Sequence, residues 1–178
     1  MDRVSYKVLN SLRKACEKMA KFTHFDEDGN AVMVDISGKQ PTVREALAEG
    51  RIKMSDECYQ AVRQGGVKKG DVLAAARLSG IMAVKQTAGL IPLCHALLIE
   101  KAAVDFVFDD EKSEIIARCR VKTTGATGVE MEAMVGVSIA LLTIYDMCKA
   151  VDKNMEISSI CLVEKTGGKS GTFQKQRS

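Results

Sequence analysis

Four segments of this 178-residue chain carry polar residues where a purely structural design would place none. In Lys85-Gln86-Thr87-Ala88-Gly89-Leu90-Ile91-Pro92-Leu93-Cys94-His95 a helix must break before Pro92, and a histidine arrives among apolar neighbours. The plain alternative is a satisfied, half-buried histidine. Neighbouring side chains of an extended segment point to opposite sides, so Cys94 and His95 cannot pair by adjacency for chelation or Cys–His catalysis. The second segment, residues 122–132, is a hydroxyl-bearing, Gly-rich loop running into a helix. Such a loop presents free backbone N–H groups to an anion or oxygen ligand. Its structural reading is a strand-to-helix turn with Thr127 as N-cap and the acids Glu130 and Glu132 favouring the helix dipole.

In the third segment Asp146 and Lys149 lie three apart and share a helix face. A surface salt bridge is the ordinary explanation, but the apolar run 139–145 beside them predicts burial. Partial desolvation would tune both groups toward acid–base work. The fourth, Lys165-Thr166-Gly167-Gly168-Lys169-Ser170-Gly171, imitates the end of a P-loop. That motif requires a glycine where Val163 stands and a helix afterwards, so this is not a nucleotide P-loop. A mobile Gly-Lys tail folding over an anionic ligand competes with a disordered terminus. Lys69, Lys85, Lys149, Lys165 and Lys169 all adjoin glycines, helix ends or acids, which suggests lysines converging on a phosphorylated ligand.

The elements that must position these groups follow from periodicity. Residues 4–20 space Val8, Leu9, Leu12, Cys16 and Met19 helically within a charged surround, as an amphipathic or frayed extension. A turn at 25–30 precedes extended alternation over 32–36, and residues 41–48 look like a connector or short helix. Ser55 opens a short helix that Gly65-Gly66 closes, and Asp71 caps the next. Residues 97–121 form an antiparallel hairpin, 129–151 a long helix, and 155–164 a returning strand. If a strand near residues 51–54 joins the sheet, the order is β-α-β-β-α-β. The expected fold is α+β and ferredoxin-like, a split β-α-β antiparallel sheet with helices packed on one face. Its other face, with Ile115, Ala117 and Cys119, would need cover. Residues 1–21 read as an N-terminal extension, 22–165 as one catalytic α+β domain, and 166–178 as a flexible Gly/Lys tail.

Composition removes several functions. A net charge of +3 and 4% aromatics, without Trp, argue against a non-specific single-strand nucleic-acid binder. Charged residues interrupt every long apolar run, and no signal-peptide pattern opens the chain, so neither membrane nor export is expected. That places it in the cytoplasm. The six cysteines (16, 58, 94, 119, 148, 161) form no Cys-x-x-Cys pair and read as reduced core thiols. With His24 and His95 alone, no protein-held metal is expected.

Taken together, Thr23-His24-Phe25, Met33-Val34-Asp35-Ile36-Ser37, Ile91-Pro92-Leu93-Cys94-His95, Thr127-Gly128-Val129-Glu130-Met131-Glu132-Ala133, Tyr145-Asp146-Met147-Cys148-Lys149-Ala150-Val151 and Gly167-Gly168-Lys169-Ser170-Gly171 resemble the MoaC family of molybdenum-cofactor biosynthesis. The likeness spans about residues 22–173 in consistent order. It implies a cytoplasmic homohexamer, a trimer of dimers. The activity implied is conversion of a 3′,8-cyclo-7,8-dihydroguanosine 5′-triphosphate into cyclic pyranopterin monophosphate with release of diphosphate. No redox cofactor is implied, and Mg²⁺ on the triphosphate is left open. On this resemblance Asp146 and Lys149 match the catalytic pair. Leu93, Cys94, His95, Met131 and Glu132 match substrate-binding positions, with Glu130 nearby. Lys69, Lys85 and Lys165 fall on lysines that look like phosphate or acid–base contacts. Ala96 stands where the family usually has Pro, and Ala126 where Lys or Arg is frequent.

The chemistry suits these residues. A sugar hydroxyl must attack the α-phosphate as diphosphate leaves, which fixed cations stabilise, and ring opening and closure need successive proton transfers. A non-catalytic nucleotide-binding module would explain the glycines and lysines but not the His, the acids and a Lys near apolar surface. A structural assembly protein would explain only an oligomer. Glu132 and Asp146 are fourteen residues apart on one expected helix, hence about 21 Å. One site containing both is most simply shared between two-fold-related subunits.

Overall fold

The computed structural model describes residues 24, 26, 28–65, 70–169 and 171–176. The expected helix over 4–20 and Lys69 lie outside them. The chain falls into two compact units, Met1–Val34 and Asp35–Ser178. In the first, the Asp26 carboxylate accepts from the N–H of Asp28 at 3.0 Å and of Asn30 at 2.7 Å, which makes the expected turn. These bonds hold the Asp26 pKa below its usual value. Residues 32–36 are not a strand: Val32 and Met33 are exposed, and the Val32 N–H donates to the His24 carbonyl at 2.9 Å.

The second unit runs β1 (Thr42–Lys53), α1 (Asp56–Arg63), α2 (Val72–Lys85), α3 (Thr87–Leu90), β2 (Lys101–Asp109), β3 (Glu114–Gly125), α4 (Glu130–Cys148), β4 (Glu156–Thr166) and β5 (Phe173–Gln174). The strands form one antiparallel sheet in the order β2-β3-β1-β4-β5. This is the α+β, ferredoxin-like order with one edge strand added. Ser55 accepts from the Cys58 N–H and Asp71 from the Ala74 N–H, so both expected caps form.

The central strand is longer than its sequence suggests. Residues 41–48, read as a connector, belong to β1. Its inward positions are Ala46, Ala48, Gly50 and Ile52, the first three too small to give a hydrophobic alternation. At Gly50 the reason is that α4 crosses directly above. A Cβ on Gly50 would come within 2.8–2.9 Å of Val137, Leu141 and Ile160. The two long helices meet as closely: a Cβ on Gly136 would sit 2.6 Å from Cys119 Sγ and 2.8 Å from Val84, and one on Gly80 2.9 Å from the Gly136 carbonyl.

This packing reverses one expectation. Ile115, Ala117 and Cys119 are fully buried and face the helices rather than the uncovered side. Strand alternation therefore turns Arg118 and Arg120 outward, where they join Glu45, Glu49, Arg51 and Glu114 in ion pairs. The open face is charged, not apolar. Among the described residues one helix, α4, is long and apolar enough to cross a membrane by length and composition alone, and half of it is buried within the fold.

Candidate active site

At the C-terminal end of α4, Lys149 is the cap residue and its Nζ donates to Asp146 Oδ1 at 2.7 Å. Burial was expected here; instead the two side chains are 52% and 63% exposed. The reason is rotational. Leu141, Ile144 and Cys148 point into the core, whereas Leu142, Asp146 and Lys149 occupy the outward stripe. The apolar run thus fills the far side of the helix. The Lys149 pKa is accordingly raised, first by its hydrogen bond to Asp146 and then by that charge, not lowered by desolvation.

The turn that follows is firmly held. Asp152, which the sequence reading missed, is buried and accepts from the N–H of Ser55 at 2.7 Å and of Asn154 at 2.8 Å. These bonds depress its pKa and tie the end of α4 to the start of α1. The Asp-x-Asn spacing was the available signal, because aspartate readily accepts from an N–H two residues on.

The N-terminal end differs. Val129, not Thr127, is the N-cap, and no side chain caps it. Thr127 instead lines a pocket. Glu132 is buried, so desolvation raises its pKa, and the Glu130 charge pushes the same way. Met131 is partly exposed at 37%. Leu93, Cys94 and His95 are half-buried in the turn after α3, where the Cys94 N–H donates to the Ile91 carbonyl at 3.1 Å. Burial, and then the Glu132 charge, raise the Cys94 thiol pKa.

At the loop that enters α4 opens a pocket of about 610 Å³, where β1 begins and β3 and β4 end. Among the described residues four cations line it, Lys39, Arg44, Lys165 and Lys169, against one carboxylate, Glu130. Lys165 Nζ donates to Glu130 Oε1 at 2.8 Å. Arg44 donates through Nε to the Gly125 carbonyl at 3.3 Å and through Nη2 to the Ala126 carbonyl at 3.4 Å. Gly167 and Gly168, at φ +90° and +76°, curl against it; a Cβ on Gly167 would overlap the Val43 carbonyl and one on Gly168 the Arg44 guanidinium. Arg44 and Lys39 were missed by the sequence reading. Arg44 was hidden because β1 was read as a connector, and Lys39 carried no local signal.

The fold therefore gathers Glu130, Glu132, Cys94 and Lys165 at one end of α4. It leaves Asp146 and Lys149 at the other, with Glu132 and Asp146 about 21 Å apart along the helix. Lys85 is exposed at the end of α2 and does not line the pocket. Among the described residues no group of three or more His, Cys, Asp or Glu comes together to hold a metal ion.

Residues 33–168 match the profile of the MoaC family. A protein of Heliobacterium modesticaldum is 57% identical over 158 residues, covering 89% of this chain and 99% of its own length. Relatives in Pelobacter propionicus and Clostridium perfringens are each 56% identical, covering 87% and 86% of this chain and 97% of their own lengths. All three are named cyclic pyranopterin monophosphate synthase.

Proposed function

This chain belongs to the MoaC family, enzymes of molybdenum-cofactor biosynthesis, and from that premise we propose that it converts the 3′,8-cyclised GTP derivative into cyclic pyranopterin monophosphate and diphosphate. The observation that carries this reading is the pocket, with four cations to one carboxylate at the start of α4. Such a site suits an oligophosphate whose negative charge grows on the departing diphosphate. Arg44 anchors it without rearrangement, because its guanidinium is already held by two carbonyls. Asp146 and Lys149 serve the proton transfers of ring opening and closure. Leu93, Cys94, His95, Met131 and Glu132 hold the nucleoside end, and Lys69 and Lys85 act as further phosphate or acid–base contacts. No redox cofactor takes part, and the reaction runs in the cytoplasm. Residues 22–165 supply the catalytic body, 1–21 an extension, and 166–178 a tail whose Gly167–Lys169 turn closes on the phosphates.

Within one chain Lys149 is exposed and its pKa is raised, so its acid–base role calls for cover from elsewhere. Each site in this proposal takes Glu132 from one subunit and Asp146 with Lys149 from its two-fold mate, in a hexamer built as a trimer of dimers. Purified protein given the cyclised GTP derivative should release diphosphate; no release above background would end the functional reading. Glu132→Ala protein mixed with Lys149→Ala protein should regain about a quarter of the parental activity after random subunit exchange. No recovery after exchange proven by mass would return both groups to a single subunit, or remove Glu132 from the site.

A further inference from the structure

The cations of the pocket are held in two different ways. Arg44 is bonded to backbone carbonyls of Gly125 and Ala126, which cannot move aside without unmaking the end of β3. Lys165 is bonded to the carboxylate of Glu130, a side chain with rotamers of its own. That pair is 27% and 29% exposed, desolvated enough to be stronger than a surface bridge yet open to exchange with solutes. Glu130 also folds back over the loop that enters α4, since a Cβ on Gly128 would collide with its carboxylate. An ammonium is satisfied equally by carboxylate or phosphate oxygens, and a diphosphate brings more charge to the same donor.

The geometry points to Glu130 as an internal stand-in for phosphate: its carboxylate yields Lys165 to an oxygen of the oligophosphate and reclaims it as diphosphate departs. This deepens the proposed function and rests on it, because it assumes that the pocket takes the phosphate end of the substrate. The gain is in turnover. A pocket with Arg44, Lys39, Lys169 and an unopposed Lys165 would retain its product, and an ion pair waiting to re-form lowers the cost of release.

Calorimetric titration of the full chain with inorganic diphosphate tests it. The parent, Glu130→Gln and Glu130→Asp proteins are compared. Glutamine removes the charge, whereas aspartate keeps it on a stem one methylene shorter, which parts it from Lys165. Both variants should bind diphosphate about three- to tenfold more tightly than the parent, and residual turnover should become more sensitive to inhibition by added diphosphate. Tighter binding by Glu130→Gln alone would mean that only net charge matters and would overturn the inference. Weaker or unchanged binding in both, with the parent still binding, would overturn it while the pocket's assignment stands. If no protein binds diphosphate, the assignment of the pocket falls and this inference with it.

Discussion

At its N-terminal end α4 delivers Glu130 to a concave, cation-lined pocket and buries Glu132 two residues on, whereas at its C-terminal end it presents Asp146 and Lys149 exposed to solvent. Buried carboxylates are treated oppositely at the two ends. Glu132 is held above its ordinary pKa because desolvation outweighs a backbone donor, and Asp152 below its own because two backbone N–H groups outweigh desolvation. One end holds a carboxyl whose anion burial disfavours, and in the proposed function this end binds the substrate. The other satisfies its charge internally and spends nothing on the exposed pair. An exposed pair of raised lysine pKa is poor acid–base machinery by itself, so in the proposed function the C-terminal end works only when covered.

The largest effect should come from the open end. Asp146→Asn and Lys149→Ala are each expected to lower turnover about 10²- to 10⁴-fold, while the melting temperature stays that of the parent, since an exposed pair adds little stability. Full activity with lost stability would make the pair structural and erase the contrast. At the pocket end, Gly168→Ala places a Cβ on the Arg44 guanidinium, and Arg44→Ala removes it. Both should weaken inorganic diphosphate binding about tenfold by calorimetry. A Gly168→Ala protein that binds normally would show that Arg44 is not the fixed anchor.

Between the ends, Gly136→Ala should cost about 1–3 kcal/mol in urea unfolding, because the added methyl meets Cys119 and Val84 in a tight crossing. Diphosphate affinity should survive it, which would show that packing at mid-helix and charge at the tip are separate. The smallest effects lie in pH. A raised Glu132 pKa means that the folded chain binds that proton more readily than the unfolded, so stability falls as pH rises through the window above the ordinary glutamate value. Glu132→Gln should therefore raise the melting temperature at about pH 7 and leave it unaltered at about pH 4. Asp152 runs the other way. Its depressed pKa contributes stability above the ordinary aspartate range that is lost as pH falls through the folded value. Asp152→Asn should lower the melting temperature near neutrality, with a penalty that shrinks in acid. Parallel rather than opposed pH profiles would contradict the charge assignment of the two ends.

Much of this was legible along the chain. The Ser55 and Asp71 caps, the hairpin over β2 and β3 and the long helix α4 follow from local rules of capping, alternation and helical spacing, which act over a few residues. The motifs at 91–95, 127–133 and 145–151 were enough to indicate the family, because residue identity and order are properties of the sequence itself. Tertiary contact decided the rest. Whether Asp146 and Lys149 were buried depended on which stripe of α4 met the sheet, and Ile115, Ala117 and Cys119 turned inward for the same reason. The strand near residues 51–54 was expected and is the end of β1. Its first part, over 42–50, escaped notice because Ala46, Ala48 and Gly50 are too small to show alternation, and at Gly50 the reason is a helix more than eighty residues away. Arg44 became a site residue only when β1 set it beside the end of β3 and the Gly167-Gly168 turn. Spacing along a chain determines which groups share a face; only packing determines what that face meets.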